Sequence, residues 1–92
     1  MMNIEEQEKI IGLLGSMAMY NDKGIHWTDA SPEKAAQVRD GFRKAIDNLI
    51  AEIGQDNIPE QVLTLLRSDK VLVDGQGSAY TEARRLFKSL NA

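Results

Sequence analysis

The chain has 92 residues, a formal net charge of −3 and no cysteine. This length predicts one domain, and the missing cysteines exclude disulfides, thiol nucleophiles and cysteine-based zinc sites. The mild acidity argues against non-specific binding of duplex nucleic acid as the main activity, because such binding usually needs a basic face.

The first predicted helix runs from about Ile4 to Tyr20. Asn3 is a favourable N-cap and Glu6 follows three residues later, which together make a capping box. Apolar residues recur along one face at helical spacing. We expect residues 21–24 to end this helix, with the glycine at its C-terminus.

Two glycines interrupt the first helix. Each costs roughly 1 kcal/mol relative to alanine in a helix interior, so their presence calls for a reason. Gly12 and Gly15 are three residues apart and therefore share a face. This spacing predicts the close approach of another helix, either from this chain or from a second copy.

The second predicted helix is the longest and has the clearest signals. Ser31 is its N-cap, Pro32 occupies the first helical position, and Gly54 ends it roughly six turns later. Apolar residues follow at alternating spacings of three and four: Ala35, Val38, Phe42, Ala45 and Leu49. Ile46, Ile50 and Ile53 widen this stripe, which predicts one broad buried face.

A third helix is predicted from a capping box of Asn57 and Glu60, ending near Ser68. It is short and apolar on most sides, as expected of an element deep in the core. The stretch Val71–Val73 has two interpretations, a short extended segment or a tail of the third helix.

A firm turn at residues 74–77 precedes the last predicted helix, which Ser78 caps and which continues to about Leu90. Four helices with short connections predict an all-α fold, a compact bundle with one long central helix. Residues 1–92 are expected to form this single helical domain.

The connection between the first two helices is a candidate partner-binding site. Trp27 would be the anchor, because tryptophan is enriched at the energetic centres of interfaces, and His26 and Asp29 would make polar contacts. Met19 and Tyr20 could extend an apolar patch toward them. The alternative is that Trp27 closes one end of the bundle and Asp29 helps to cap the second helix.

The exposed side of the last helix is basic. Arg84, Arg85 and Lys88 could contact nucleic acid or an acidic partner, or could form a solvated face that complements the helix dipole. A lone histidine without a second base or ligand predicts neither catalysis nor metal binding. The glycines fit neither a calcium loop nor a phosphate loop, so we expect no cofactor and no metal.

These observations favour a non-enzymatic protein-interaction module, a small acidic regulator or inhibitor such as phages and other mobile elements encode. We expect it to act by binding another protein and not a membrane. A homodimer is one form that it could take. The alternatives are a nucleic-acid-binding regulator that uses the basic face of the last helix, and a small-ligand-binding helical domain. Neither a signal peptide nor a membrane span is evident, so we expect a cytoplasmic protein.

Overall fold

The computed structural model describes residues 2–24 and 31–91. Over these ranges the chain is helical and contains no strand, which confirms the predicted all-α bundle of about four helices. A π-helical turn follows α1, and 3₁₀ turns precede and follow α3. The four α-helices are α1 (Ile4–Met19), α2 (Pro32–Ile53), α3 (Glu60–Arg67) and α4 (Ser78–Asn91).

The predicted starts of α1 and α2 are confirmed. The side chain of Asn3 accepts a hydrogen bond from the backbone N–H of Glu6 at 2.8 Å, and the Glu6 carboxylate accepts one from the N–H of Asn3 at 3.0 Å. Ser31 Oγ accepts from the N–H of Lys34 at 3.1 Å. Gly54 ends α2 with a φ of 95°, a conformation that other residues rarely adopt.

The predicted capping box of α3 is wrong. Pro59, and not Asn57, precedes the first residue of this helix. The amide of Asn57 instead donates to the carbonyl of Ile53 at 2.9 Å, so it serves the end of α2. The last carbonyls of a helix lack partners within that helix, and the 3₁₀ turn Gln55–Asn57 brings this amide back to one of them.

The predicted cap of α4 is also wrong, because Ser78 is the first residue inside the helix. The carboxylate of Asp74, which lies four residues before Ser78, caps the helix instead. It accepts from the N–H groups of Gln76 and Ala79, at 3.2 and 2.9 Å. A carboxylate is the stronger acceptor here, because its charge also complements the helix dipole.

Val71–Val73 is not an extended segment. It belongs to a 3₁₀ turn, Asp69–Val73, in which Ser68 Oγ accepts from the N–H of Lys70 at 3.3 Å. The turn directs Val71 and Leu72 into the core and leaves Val73 exposed. Burial of two apolar side chains in consecutive positions suits a helical turn better than a strand, where neighbours point to opposite faces.

Helices α1 and α4 pack side by side and run antiparallel. Near the start of α1, Gln7 exchanges hydrogen bonds with Asn91 at the end of α4, with donor–acceptor distances of 2.9 and 3.2 Å. Further along α1, Gly15 meets Tyr80 in the first turn of α4. All four helices contribute to the core, whose most deeply buried large side chains are Ile10, Met17, Ile46, Val62 and Leu66.

In the described part of the chain, every helix is too short or too polar to cross a membrane.

Candidate functional site: a groove between two antiparallel helices

A groove of about 640 Å³ lies on the outer side of α1 and α4 and is open to solvent. We call it the α1–α4 groove. Residues of α1 form one wall, and the turn before α4 with the first turn of α4 forms the other. Its lining combines small, apolar and acidic residues: Glu8, Ile11, Gly12, Gly15, Ser16, Ala18, Met19, Asp22, Gly75, Gln76, Gly77 and Tyr80.

The two glycines of α1 both line this groove, and their surroundings differ. A Cβ atom on Gly15 would lie 3.4 Å from Cδ2 of Tyr80, so this glycine lies directly beneath the ring. A Cβ on Gly12 would meet nothing within 4 Å among the described residues, and Gly12 is exposed. At Gly15 it is therefore a side chain of α4 that comes close within the chain, whereas no described residue comes near Gly12.

The α4 wall is built around Tyr80, whose ring is half-buried. The guanidinium of Arg84 lies 5.6 Å from the centroid of this ring and donates to the tyrosine hydroxyl at 3.4 Å. A guanidinium over an aromatic face is held by the ring quadrupole. Tyr80 and Arg84 are four residues apart and share a face, so Arg84 lies beside Tyr80, beyond the residues that line the groove.

One end of the groove is fixed by Asn21 of the π-helical turn Tyr20–Gly24. Its side chain is 6% exposed, and its amide donates to the carbonyls of Leu72 and Asp74 at 3.2 and 3.1 Å. These bonds tie the end of α1 to the segment before α4. Asn21 Oδ1 is buried and has no hydrogen-bond partner among the described residues.

Charge is distributed unevenly around the groove. Glu8 and Asp22 are exposed carboxylate residues on the α1 wall, near its two ends. The outer face of α4 carries Arg84 and Lys88, which are also exposed. The lining of the groove is thus acidic along α1, and the two cations of α4 lie beyond its lining residues.

Arg85 differs from these cations because it is paired. Its Nε donates to the carboxylate of Glu82 at 3.1 Å, on the part of α4 away from Tyr80. The hydrogen bond from Arg85 lowers the pKa of the Glu82 carboxyl below its ordinary value, and the same bond raises the pKa of Arg85. The three cations predicted to act together therefore have different surroundings.

The predicted partner-binding residues fall into two groups. Met19 lines the groove with 63% of its surface exposed, and Tyr20 is exposed at 39% with its ring edge-on to Phe42 at a centroid distance of 5.6 Å. Phe42 belongs to α2, so these two neighbours face different parts of the molecule. His26, Trp27 and Asp29 lie outside the described residues.

Sequence reasoning missed three parts of this site, namely Glu8, Tyr80 and the wall formed by residues 75–77. Glu8 had a usable signal, because its spacing of four and seven residues to Gly12 and Gly15 places it on their face. Tyr80 had none, since its place above Gly15 depends on how α4 packs against α1. Across residues 2–24 and 31–91, no three acidic or histidine side chains converge as a metal site would require.

In comparisons with protein-family models, curated proteins and solved structures, nothing matches this chain.

Proposed function

We propose that this chain is a non-enzymatic protein-interaction module that binds a helical segment of a protein partner in the α1–α4 groove. A chain of this size would then act by occupying a surface of its partner, as a regulator or inhibitor does. The lack of cysteine is compatible with work in a reducing compartment, which favours the cytoplasm.

The observation that carries the proposal is the open space over Gly12. Glycine here destabilises α1 by roughly 1 kcal/mol relative to alanine, and no described residue uses the room it leaves. The groove around it has an apolar side chain at 63% exposure, Met19, together with the edge of Tyr80. Small residues flanked by apolar ones allow a second helix to approach closely and bury its side chains.

Gly41 in α2 offers a matched comparison. A Cβ there would also meet nothing within 4 Å, and Gly41 is exposed, but it does not line the groove. Substitution of Gly12 or Gly41 by glutamine should therefore bring the same gain in helix propensity. Only Gly12→Gln adds a side chain to the groove.

A displayed library of helical peptides tests the proposal. Peptides selected on the wild-type chain should bind Gly41→Gln equally and lose about tenfold or more in affinity for Gly12→Gln, the equivalent of about 1.4 kcal/mol. Equal binding to all three chains would place the interaction outside the groove and overturn the proposal, as would failure to select any helical peptide.

The nucleic-acid alternative has less support from the geometry. Its three residues, Arg84, Arg85 and Lys88, do not present three equivalent cations, because Arg85 is paired with Glu82 and Arg84 is packed on Tyr80. Binding to nucleic acid depends on cations that can displace counterions from phosphates. Arg84 instead packs on Tyr80, one of the residues that line the groove.

A further inference from the structure

The charge of the groove lining narrows the choice of partner. Glu8 and Asp22 are the charged residues among those described that line the α1–α4 groove, and both are acidic. Both are exposed, and neither forms an ion pair with another described residue. The lining therefore presents negative charge that no cation of the lining offsets, which favours a partner with basic residues.

The two carboxylate residues stand far apart along the groove. Asp22 comes 14 residues after Glu8, in the π-helical turn that follows α1. At about 1.5 Å per residue, this spacing corresponds to roughly 20 Å along the helix axis. At the far end, a Cβ on Gly75 would lie 3.7 Å from the backbone nitrogen of Asp22, so Asp22 adjoins the turn before α4. A helix that lies along α1 would thus meet one carboxylate near each of its ends.

The surface between the two carboxylates is small and apolar. Ile11 and Met19 line the groove there with Gly12, and Met19 is 63% exposed. Ile4 is also exposed, at 60%, and its spacing of four and seven residues to Glu8 and Ile11 places it on the same face of α1. A partner that covers this surface needs an apolar stripe of its own, because it removes these side chains from water.

We propose that the partner of the α1–α4 groove is a basic amphipathic helix of about four turns or more, whose apolar stripe covers Ile11 and Met19 and whose lysine or arginine side chains near both ends pair with Glu8 and Asp22. This inference rests on the proposed function, since it concerns the occupant of the same groove. The partner helix must cross α1 at a shallow angle, because a steep crossing would bring it to one carboxylate only. Its binding should weaken with salt, since exposed charges are screened.

Peptides selected on the wild-type chain that lose affinity for Gly12→Gln are the probes for this inference. They should carry lysine or arginine near both ends. In calorimetric titrations at low salt, they should bind Glu8→Lys with Asp22→Lys about tenfold or more weakly, because like charges then meet at both ends. The same peptides with glutamate in place of the end cations should show the opposite preference. Glu33→Lys with Asp47→Lys is the matched control, because it changes the net charge equally at exposed positions of α2 outside the groove.

A milder variant guards against damage to the fold by charge reversal. Glu8→Gln with Asp22→Asn removes the charge and keeps the shape of both side chains. It should lower the affinity for the selected peptides and reduce its dependence on salt. Circular dichroism shows whether each variant remains helical.

Selected peptides that depend on Gly12 but lack end cations would overturn this inference alone and leave the proposed function standing. So would peptides that bind wild type and both Glu8 with Asp22 variants equally. An equal loss of affinity in the α2 control would show that net charge attracts the peptide, and would overturn it as well. A wild-type dimer in sedimentation equilibrium that Gly12→Gln abolishes would instead assign the groove to a second copy. Failure to select any helical peptide would overturn the proposed function, and this inference with it.

Discussion

The ring of Tyr80 covers Gly15, and a Cβ on that glycine would lie 3.4 Å from the ring. This is ordinary van der Waals distance, so alanine fits beneath the ring without displacing it. At Gly12, only one turn earlier, none of the described residues occupies the corresponding space. The two glycines therefore differ in what they do, although they share one face of α1.

Alanine substitutions should separate these roles. Gly12→Ala should raise the free energy of unfolding by about 1 kcal/mol, because helix propensity improves and no contact is disturbed. Gly41→Ala should do the same, and Gly15→Ala should gain at least as much, since its methyl group would also contact the ring of Tyr80 at van der Waals distance. Urea denaturation measures all three, and destabilisation by Gly12→Ala would contradict the open space described here.

Asn21 should be important for stability because it joins two distant segments. Asn21→Ala removes both hydrogen bonds and leaves the carbonyls of Leu72 and Asp74 without this donor in a buried setting. We expect a loss of about 1–3 kcal/mol per unsatisfied group in the free energy of unfolding, measured in urea. Asn48→Ala, at an exposed position of α2, is the control. Equal effects of the two substitutions would show that the Asn21 bonds contribute little.

The ion pair of Glu82 and Arg85 should affect the titration of Glu82 and the pH dependence of the protein's stability. Arg85 lowers the carboxyl pKa, so the stabilising contribution is present above the ordinary pKa of a glutamate and is lost as pH falls through the lowered value. Arg85→Gln should return the Glu82 pKa toward its ordinary value, as measured by carboxyl ¹³C NMR titration. Because both side chains are exposed, the accompanying change in stability should be small. An unchanged pKa would rule out the pair in solution.

The local sequence was enough to place the helices. The residues that start and end α1 and α2 interact only with backbone groups a few positions away, so their effects can be predicted without knowing the rest of the fold. They are Asn3, Glu6, Ser31, Pro32 and Gly54. The periodic apolar residues located the apolar side of each helix less exactly: in α2 the buried residues include Ile46, Ile50 and Ile53, whereas Val38, Phe42, Ala45 and Leu49 are only partly buried. These features depend on backbone geometry, which is the same in every helix.

Caps that act over longer distances could not be predicted in this way. Asp74 took the capping role that sequence spacing had assigned to Ser78, and Asn57, assigned to the start of α3, instead serves the end of α2. Each has a carboxylate or amide that can serve several nearby backbone groups. The course of the adjoining turn decides which group it reaches, and that course follows from the packing of the whole chain.

The sequence by itself determined that this is a helical bundle, and that Gly12 and Gly15 lie together on one face of α1. Only the tertiary structure decided that the ring of Tyr80 lies against one of them, while no described residue comes near the other. The physical reason is that helix propensity and capping act within a turn or two, whereas a groove exists only where two helices far apart in sequence pack side by side.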